Sequence, residues 1–445
     1  MLKKRIIAST LSLLLLSSLV QISNAASVQA ETPIKNITRV QGVNRFKTSI
    51  AIADKVVSGT TLDNVILTSG YDFPDGLSGS TLAKKLNAPI LMAGNLSDSQ
   101  DTLDYIYSHL KEKGNVYILG GIGAVSKDTE DTLKNKGYIV TRLAGQDRIE
   151  TNNSITESLN APEGTPVFIA NAYSFPDALS VSSIAAINGY PILLTAANSL
   201  PSSIEDELSV IKPSIVYIVG GTGVVSSDVE NSINTKLPSA SIQRISGANR
   251  YETSMNVFTT FKLDTTNVVL ASGKDFPDAL CGSQLAAKLN ASIVLADENN
   301  LDTQQVNYTN KGITNFYILG GTGAVSSEAE EAINFDKDTE IANIQNVINT
   351  FIDGLNQKDI NKVMSIMDTT DPLIYNSEKK LIIQYGFNSN FIFAVDPVNV
   401  ISITHNTAIV TFTESETTTD HSNDQYFTNT AVLKKINGKW YMNFY

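Results

Sequence analysis

Arginine is the most narrowly placed reactive residue in this chain. Apart from Arg5, every arginine of the 445 residues is one end of an Arg-x-x-Gly-x-x-Arg motif, which occurs three times: Arg39 to Arg45, Arg142 to Arg148 and Arg244 to Arg250. Every other base is lysine. Arginine brings a rigid planar fork that grips carboxylates and phosphates through paired hydrogen bonds, which lysine cannot do. Two uses fit the pattern. One is an ion pair inside the fold, for which each copy supplies a carboxylate in a recurring Phe-Pro-Asp: Asp75, Asp177 and Asp278. The other is a clamp on anionic groups of a ligand. A third repeated element, Gly-Gly-x-Gly, supplies Gly120 and Gly121, Gly220 and Gly221, and Gly320 and Gly321. Each follows an apolar run and precedes a helical pattern. Backbone amides at such a helix start can bind an anion, and glycine equally permits close backbone packing. The Phe-Pro-Asp carboxylate could instead cap the helix that follows, with proline stiffening its first turn.

Other chemistry is sparse. The glycine spacing lacks the third position and partner acid of a dinucleotide fingerprint, and the lysine of a phosphate loop, so nucleotide binding fits poorly. There is no Gly-x-Ser-x-Gly elbow. His109, His405 and His421 are scattered and form no zinc set. One cysteine, Cys281, excludes an intramolecular disulfide. No cofactor or metal is expected. The formal charge of −12 argues against bulk attraction to nucleic acid. In the C-terminal region Asp371, Tyr375, Tyr385, His405 and Glu414 are candidates to line a cavity, against the alternative of ordinary surface and packing roles.

The elements that must position these residues repeat with them. The three motifs recur in the same order with a period near one hundred residues, long enough for a small domain rather than a solenoid unit. In the first copy Val65–Thr68, Ile90–Met92 and Val116–Leu119 read as strands, and the segments from Leu77 to Leu86 and from Leu103 to Leu110 carry helical spacing. Apolar strands alternating with helices imply a parallel sheet covered on both faces. Ser126 reads as an N-cap, and Ser227-x-x-Glu230 and Ser327-x-x-Glu330 as capping boxes. Boundaries fall near 36–137, 138–240 and 241–337, with the strand Asn36 to Val40 opening the first repeat.

The two ends differ. Lys3, Lys4 and Arg5 precede a mostly apolar stretch from Ile6 to Val20. Ser23-Asn24-Ala25 and Val28-Gln29-Ala30 each offer a cleavage pattern, so 1–30 reads as a secretory signal peptide. No later stretch is long enough to span a bilayer, and no covalent wall-sorting tail is visible. Residues 341–445 form a separate α+β domain: a helical stripe from Ile344 to Leu355, a short helix from Asp359, then alternating strands with a hairpin turn at Asn437-Gly438.

On these motifs the three repeats closely resemble the cell-wall-binding repeat type 2 family of Gram-positive surface proteins. The carriers are Arg-x-x-Gly-x-x-Arg, Phe-Pro-Asp-Ala/Gly-Leu and Ile-Leu/Val-Gly-Gly, present in every copy. The resemblance implies Rossmann-like α/β domains grouped around a pseudo-threefold axis and noncovalent attachment to an anionic secondary wall polysaccharide. The copies depart from one another at Lys47, where the others have Glu150 and Glu252, and at Ser292, where the others have Pro89 and Pro191. The C-terminal region resembles NTF2-like or SnoaL-like cone domains through its helix, the Asn356 to Asp359 turn and the Asn437 to Trp440 hairpin. The expectation is a secreted, wall-held, non-enzymatic protein whose C-terminal domain binds an unidentified partner. The runner-up is a wall hydrolase with its active site in 338–445.

Overall fold

The computed structural model describes residues 35–443 except 58, 60, 388–391 and 419–423. The proposed signal peptide and His421 lie outside the described residues. Two compact units divide the chain, one spanning Ile34–Ile333 and the other continuing from Asn334.

The first unit holds three four-stranded parallel sheets. The strands are β1 (Asn36–Val40), β2 (Leu62–Ser69), β3 (Ile90–Ala93), β4 (Leu110–Leu119), β5 (Ile139–Leu143), β6 (Val167–Asn171), β7 (Ile192–Thr195), β8 (Ile215–Val219), β9 (Ser241–Ile245), β10 (Asn267–Ser272), β11 (Ser292–Ala296) and β12 (Asn315–Leu319). The sheet orders are β3-β2-β4-β5, β7-β6-β8-β9 and β11-β10-β12-β1. The central strands are buried over most of their apolar residues, such as Val65–Leu67, Val167–Ala170 and Val268–Leu270, as expected when helices cover both faces.

The sheet pairing revises the phase read from the sequence. Strand β1 does not join the first repeat that it opens. It runs parallel to β12, with Asn36 opposite Asn315 and Val40 opposite Leu319. Its equivalents β5 and β9 close the first and second sheets. Each Arg-x-x-Gly-x-x-Arg motif therefore links two sheets, and the chain's first strand completes its last sheet. The physical reason is the vacant edge: β12 would otherwise expose a row of unpaired backbone groups.

The three sheets gather around helices that follow the Phe-Pro-Asp loops: Gly79–Leu86, Phe175–Asn188 and Pro277–Lys288. The second is buried almost all round, the mark of a helix enclosed by protein. Small residues let these helices approach their sheets. A Cβ on Gly79 would stand 2.6 Å from Leu119 Cδ1, and one on Gly282 only 2.0 Å from Leu319 Cδ1. Two buried serines of the second helix find partners nearby: Ser180 donates to the Pro176 carbonyl at 2.7 Å, and Ser183 accepts from the Ile293 amide of the third sheet at 3.1 Å. One apolar cluster, including Leu82, Val181 and Leu285, spans all three repeats. Phe73, Phe175 and Phe276 meet edge to face, with ring centroids 5.5, 5.9 and 6.4 Å apart, on the pseudo-threefold axis.

The second unit is α+β. The helix Lys337–Gln357 leads, and β13 (Ile392–Val395), β14 (Asn399–Ile403), β15 (Thr407–Thr417), β16 (Gln425–Ile436) and β17 (Lys439–Asn443) form an antiparallel half-barrel sheet. Asn437 and Gly438 have φ of 49° and 77°, the turn that joins β16 and β17. Trp440 is core, as its strand position suggested, and its indole donates to the buried Glu340, which also accepts from Lys435 at 2.7 Å. Strand β13 and the helix Pro372–Leu381 were not foreseen. The first is only four residues long, and the second opens on a proline and keeps its apolar residues at its two ends.

Candidate functional site

The Arg-x-x-Gly-x-x-Arg motif folds as strand end, tight turn and helix start. Asp147 accepts hydrogen bonds from the Ile149 and Glu150 amides at 2.8 and 2.9 Å, and Asn249 does the same for Tyr251 and Glu252. The motif glycine lies against the first helical turn: a Cβ on Gly145 would stand 2.2 Å from Glu150 Cβ. Glu150 and Glu252 accept from the amides of Gln146 and Ala248. Lys47, which replaces them in the first copy, pairs with Asp101 at 2.6 Å.

The two arginines of each motif have different surroundings. The first is built into the fold. Arg142 donates to Glu130 at 2.9 Å and to the carbonyls of Gly120, Gly121 and Val125 at 2.8, 2.9 and 2.9 Å. Arg39 repeats this with Glu330 and Gly320, and Arg244 with Glu230 and Gly220. The carboxylate partner is therefore not the Phe-Pro-Asp aspartate, as the sequence suggested, but a glutamate three to four residues into the helix after the glycine loop. The sequence pattern makes Glu230 a capping-box residue of Ser227. The cap is Ser226, whose hydroxyl accepts from the Val229 amide, leaving Glu230 to turn toward Arg244. Ser126 caps its helix as expected. The sequence held only part of the signal for these partners: one glutamate recurs in step with the first arginine, but so does the Phe-Pro-Asp aspartate.

The second arginine reaches across a repeat junction. Arg148 donates to its own Ala172 carbonyl at 3.1 Å, and its guanidinium lies 5.8 Å from the Phe73 ring centre in the preceding loop. Arg250 stands over Phe175, and Arg45 over Phe276, at 5.6 and 5.7 Å. Arg45 also pairs with Asp275 at 3.3 Å, and Arg148 with Asp72 at 4.0 Å. The expected proximity of these arginines to the Phe-Pro-Asp loops holds, but in a cyclic exchange between repeats.

The Phe-Pro-Asp aspartates face the glycine loops. A Cβ on Gly120, Gly220 or Gly320 would stand 2.2, 2.5 or 2.2 Å from Oδ2 of Asp75, Asp177 or Asp278, and all three glycines have positive φ. Close approach and left-handed backbone both require glycine here. Burial pushes all three carboxyls upward from their ordinary value. Asp278, also beside Asp275 and opposed by Arg45, reaches about 6. The helix-capping alternative does not hold: the caps of these helices lack a side-chain bond.

Gly121, Gly221 and Gly321 stand on the outer side of the loops. Among the described residues, the amides of 121–123, 221–223 and 321–323 donate no hydrogen bond within the chain. These loops lie beyond the C-terminal ends of β4, β8 and β12, where parallel sheets place ligands.

In the second unit Glu414 is half-buried and accepts from Asn429 at 2.7 Å. Burial and neighbouring Glu416 raise its carboxyl to about 7. Asp371 and Tyr375 lie at the Pro372–Leu381 helix, while His405 is buried in the turn between β14 and β15, so the five cavity candidates are dispersed over several elements. The side chain of Tyr385 lies outside the described residues. Among those described, no group of three His, Cys, Asp or Glu is placed to hold a metal. Cys281 is buried, and its thiol is pushed up by burial and by Asp278.

Comparison with known proteins returns two family matches. Cell wall binding domain 2 matches 39–130, 142–230 and 244–330, more than half of the chain, and the C-terminal domain of anti-sigma-I factor RsgI9 matches 346–444. N-acetylmuramoyl-L-alanine amidase LytC of Bacillus subtilis is 36% identical over 299 residues, covering 66% of this chain and 57% of the relative. The amidase enhancer of the same organism is 31% identical over 299 residues, covering 66% and 40%. The solved structure of Cwp8 from Clostridium difficile has a TM-score of 0.60 at 27% identity, covering 67% of this chain and 51% of that one. The chain thus spans about half the length of the relatives that it matches. The amidase relative corrects the expectation of a non-enzymatic chain: at 36% identity, with its match on the wall-binding repeats, it leaves an enzymatic role open.

Proposed function

Because the chain belongs to the cell wall binding domain 2 family and is a wall-binding surface protein, we propose that its repeats hold it by an anionic secondary wall polysaccharide and that the second unit is the domain displayed. The observation that supports this most is the threefold recurrence of one anion-competent arrangement: a loop with free amides, and an arginine from the next repeat over an aromatic ring. The protein's charge of −12 opposes a polyanion at long range, so attraction is local to these loops. Three linked sites raise effective concentration and convert weak contacts into retention. Export by residues 1–30 completes the reading, and N-terminal sequencing of secreted protein would locate cleavage after Ala25 or Ala30.

The test is sedimentation of the full chain with purified walls, with and without their secondary polymer. Retention should require the polymer and should fall when any one repeat is deleted. Equal retention on stripped walls would overturn the reading. A second reading is that the repeats anchor a wall-hydrolysing activity in 338–445, which a zymogram on the same walls would detect.

A further inference from the structure

The second repeat sets two carboxylates against each other where the first sets a phenol against a carboxylate. In the first repeat Asp54 is the tenth residue of the helix Arg45–Val57, and Tyr105 is the sixth residue of the helix Gln100–His109. The two helices pack together, and burial and the Asp54 charge push the Tyr105 phenol up. A phenol has a proton to give and a carboxylate accepts one. In the second repeat the same two positions hold Glu157, in the helix Arg148–Leu159, and Glu207, in the helix Ser202–Ile211. Ionised, neither has a proton to give. In the third repeat Thr259 stands at the position of Glu157.

Glu207 is 8% exposed, and among the described residues its carboxylate has neither a hydrogen bond nor an ion pair. Burial and then the charge of Glu157 push its carboxyl up, and no cation offsets them. The lysines closest to these helices in the chain are engaged elsewhere, Lys212 with Glu163 at 3.1 Å and Lys236 with Glu205 at 3.8 Å. One turn before Glu157, Asn153 donates to it through Nδ2 at 3.0 Å, which leaves the Asn153 carbonyl Oδ1 buried with no partner. A buried carboxylate and a buried amide oxygen, both unpartnered, ask for a positive group. The oxygens are the ligands of a hard cation: two carboxylates and a neutral carbonyl. Calcium accepts irregular oxygen sets completed by water, whereas magnesium demands near-octahedral geometry.

We propose that Glu157, Glu207 and the Asn153 carbonyl oxygen form a calcium site between these two helices of the second repeat, with water completing the shell. Glu157 is exposed and gives the ion its way in. The clamped helix begins at Arg148, the arginine over Phe73, so the ion steadies the element that ties the second repeat to the first. Three protein oxygens place the affinity at about 10⁻⁴–10⁻³ M, the range of extracellular calcium modules. The site is independent of the wall-polymer reading.

The experiment uses the full chain, stripped with chelator and then titrated with calcium chloride. Calcium at about tenfold its Kd should raise Tm by about 2–4 °C, and magnesium or sodium chloride at equal ionic strength should raise it by less than half as much. Glu207→Gln should abolish the calcium shift and, without calcium, keep or raise Tm, because a buried charge is gone; a merely structural glutamate would lower Tm instead. Glu207→Tyr, which restores the phenol of the first repeat, should behave alike, and Glu157→Gln, at an exposed position, supplies a third variant that folds. Equilibrium dialysis with radioactive calcium should show binding to the wild type that the Glu207 variants lose. No calcium shift in the wild type, the same shift in Glu207→Gln and Glu157→Gln, or an equal shift with magnesium would overturn the site. A wild type that gains stability on acidification and not with calcium would show instead that the two carboxylates share a proton.

Discussion

Arg148 opens a helix that leads into the second sheet, yet its guanidinium sits 5.8 Å from the ring centre of Phe73 in the first. The same relation joins Arg250 to Phe175 and Arg45 to Phe276, so the exchange closes on itself. The phenylalanines meet at the axis, and the arginines surround them. The Phe-Pro-Asp loops are thereby tied to the packing between repeats rather than to any single repeat.

Phe276→Ala should therefore act on all three repeats. Phe276 is 6% exposed and touches both other rings. Its loss should cost about 3–5 kcal/mol, the usual range for emptying an aromatic core site. Hydrogen exchange should show lower protection in all three sheets. Loss confined to β10, β11 and β12 would show that the repeats are energetically separate.

The first arginines should prove structural. Arg142 is 15% exposed in its side chain and Glu130 9%. Arg142→Ala leaves that carboxylate and three carbonyls short of a donor, and should cost about 3–5 kcal/mol in denaturant unfolding. Arg142→Lys should recover little, because an ammonium cannot span the same fork. Lys134 and Arg142 hold Glu130 below its ordinary 4.5, so the contribution is present above that value and is lost as pH falls through the depressed one. Full recovery by lysine would count against the fork geometry.

Removing residues 35–41 should destabilise the last repeat, not the first. The deletion exposes the β12 edge that β1 covers. Amides of β12 and β10 should lose protection before those of β2 and β4. The reverse order would contradict the pairing.

Asp278 should make stability fall with rising pH. Its carboxyl is raised from an ordinary 3.8 to about 6, so between these values the folded state binds more protons than the unfolded one. Stability from this group is fully present below about 4 and is lost by about 6. Subtracting the unfolding free energies of Asp278→Asn from those of the wild type isolates the slope from other carboxylates. A flat difference across that window would remove Asp278 as its source.

The repeats, their α/β character and the special standing of arginine were legible because local chemistry writes them directly. Parallel strands buried on two faces are continuous apolar runs, and glycine at positive φ, as at Gly120, is marked by its own residue type. The Asn437-Gly438 hairpin was visible for the same reason. Which arginine meets which carboxylate was not legible, since the partners are set by where helices return over a sheet. Glu130 and Asp75 both recur with the period, and only packing brings the first to Arg142 and the second to Gly120. The same holds for β1. Its residues specify a strand, but an edge vacant on the third sheet, formed almost three hundred residues later, decides where that strand goes. Period and pattern are local properties of the chain, whereas ring closure is a property of the assembled edges.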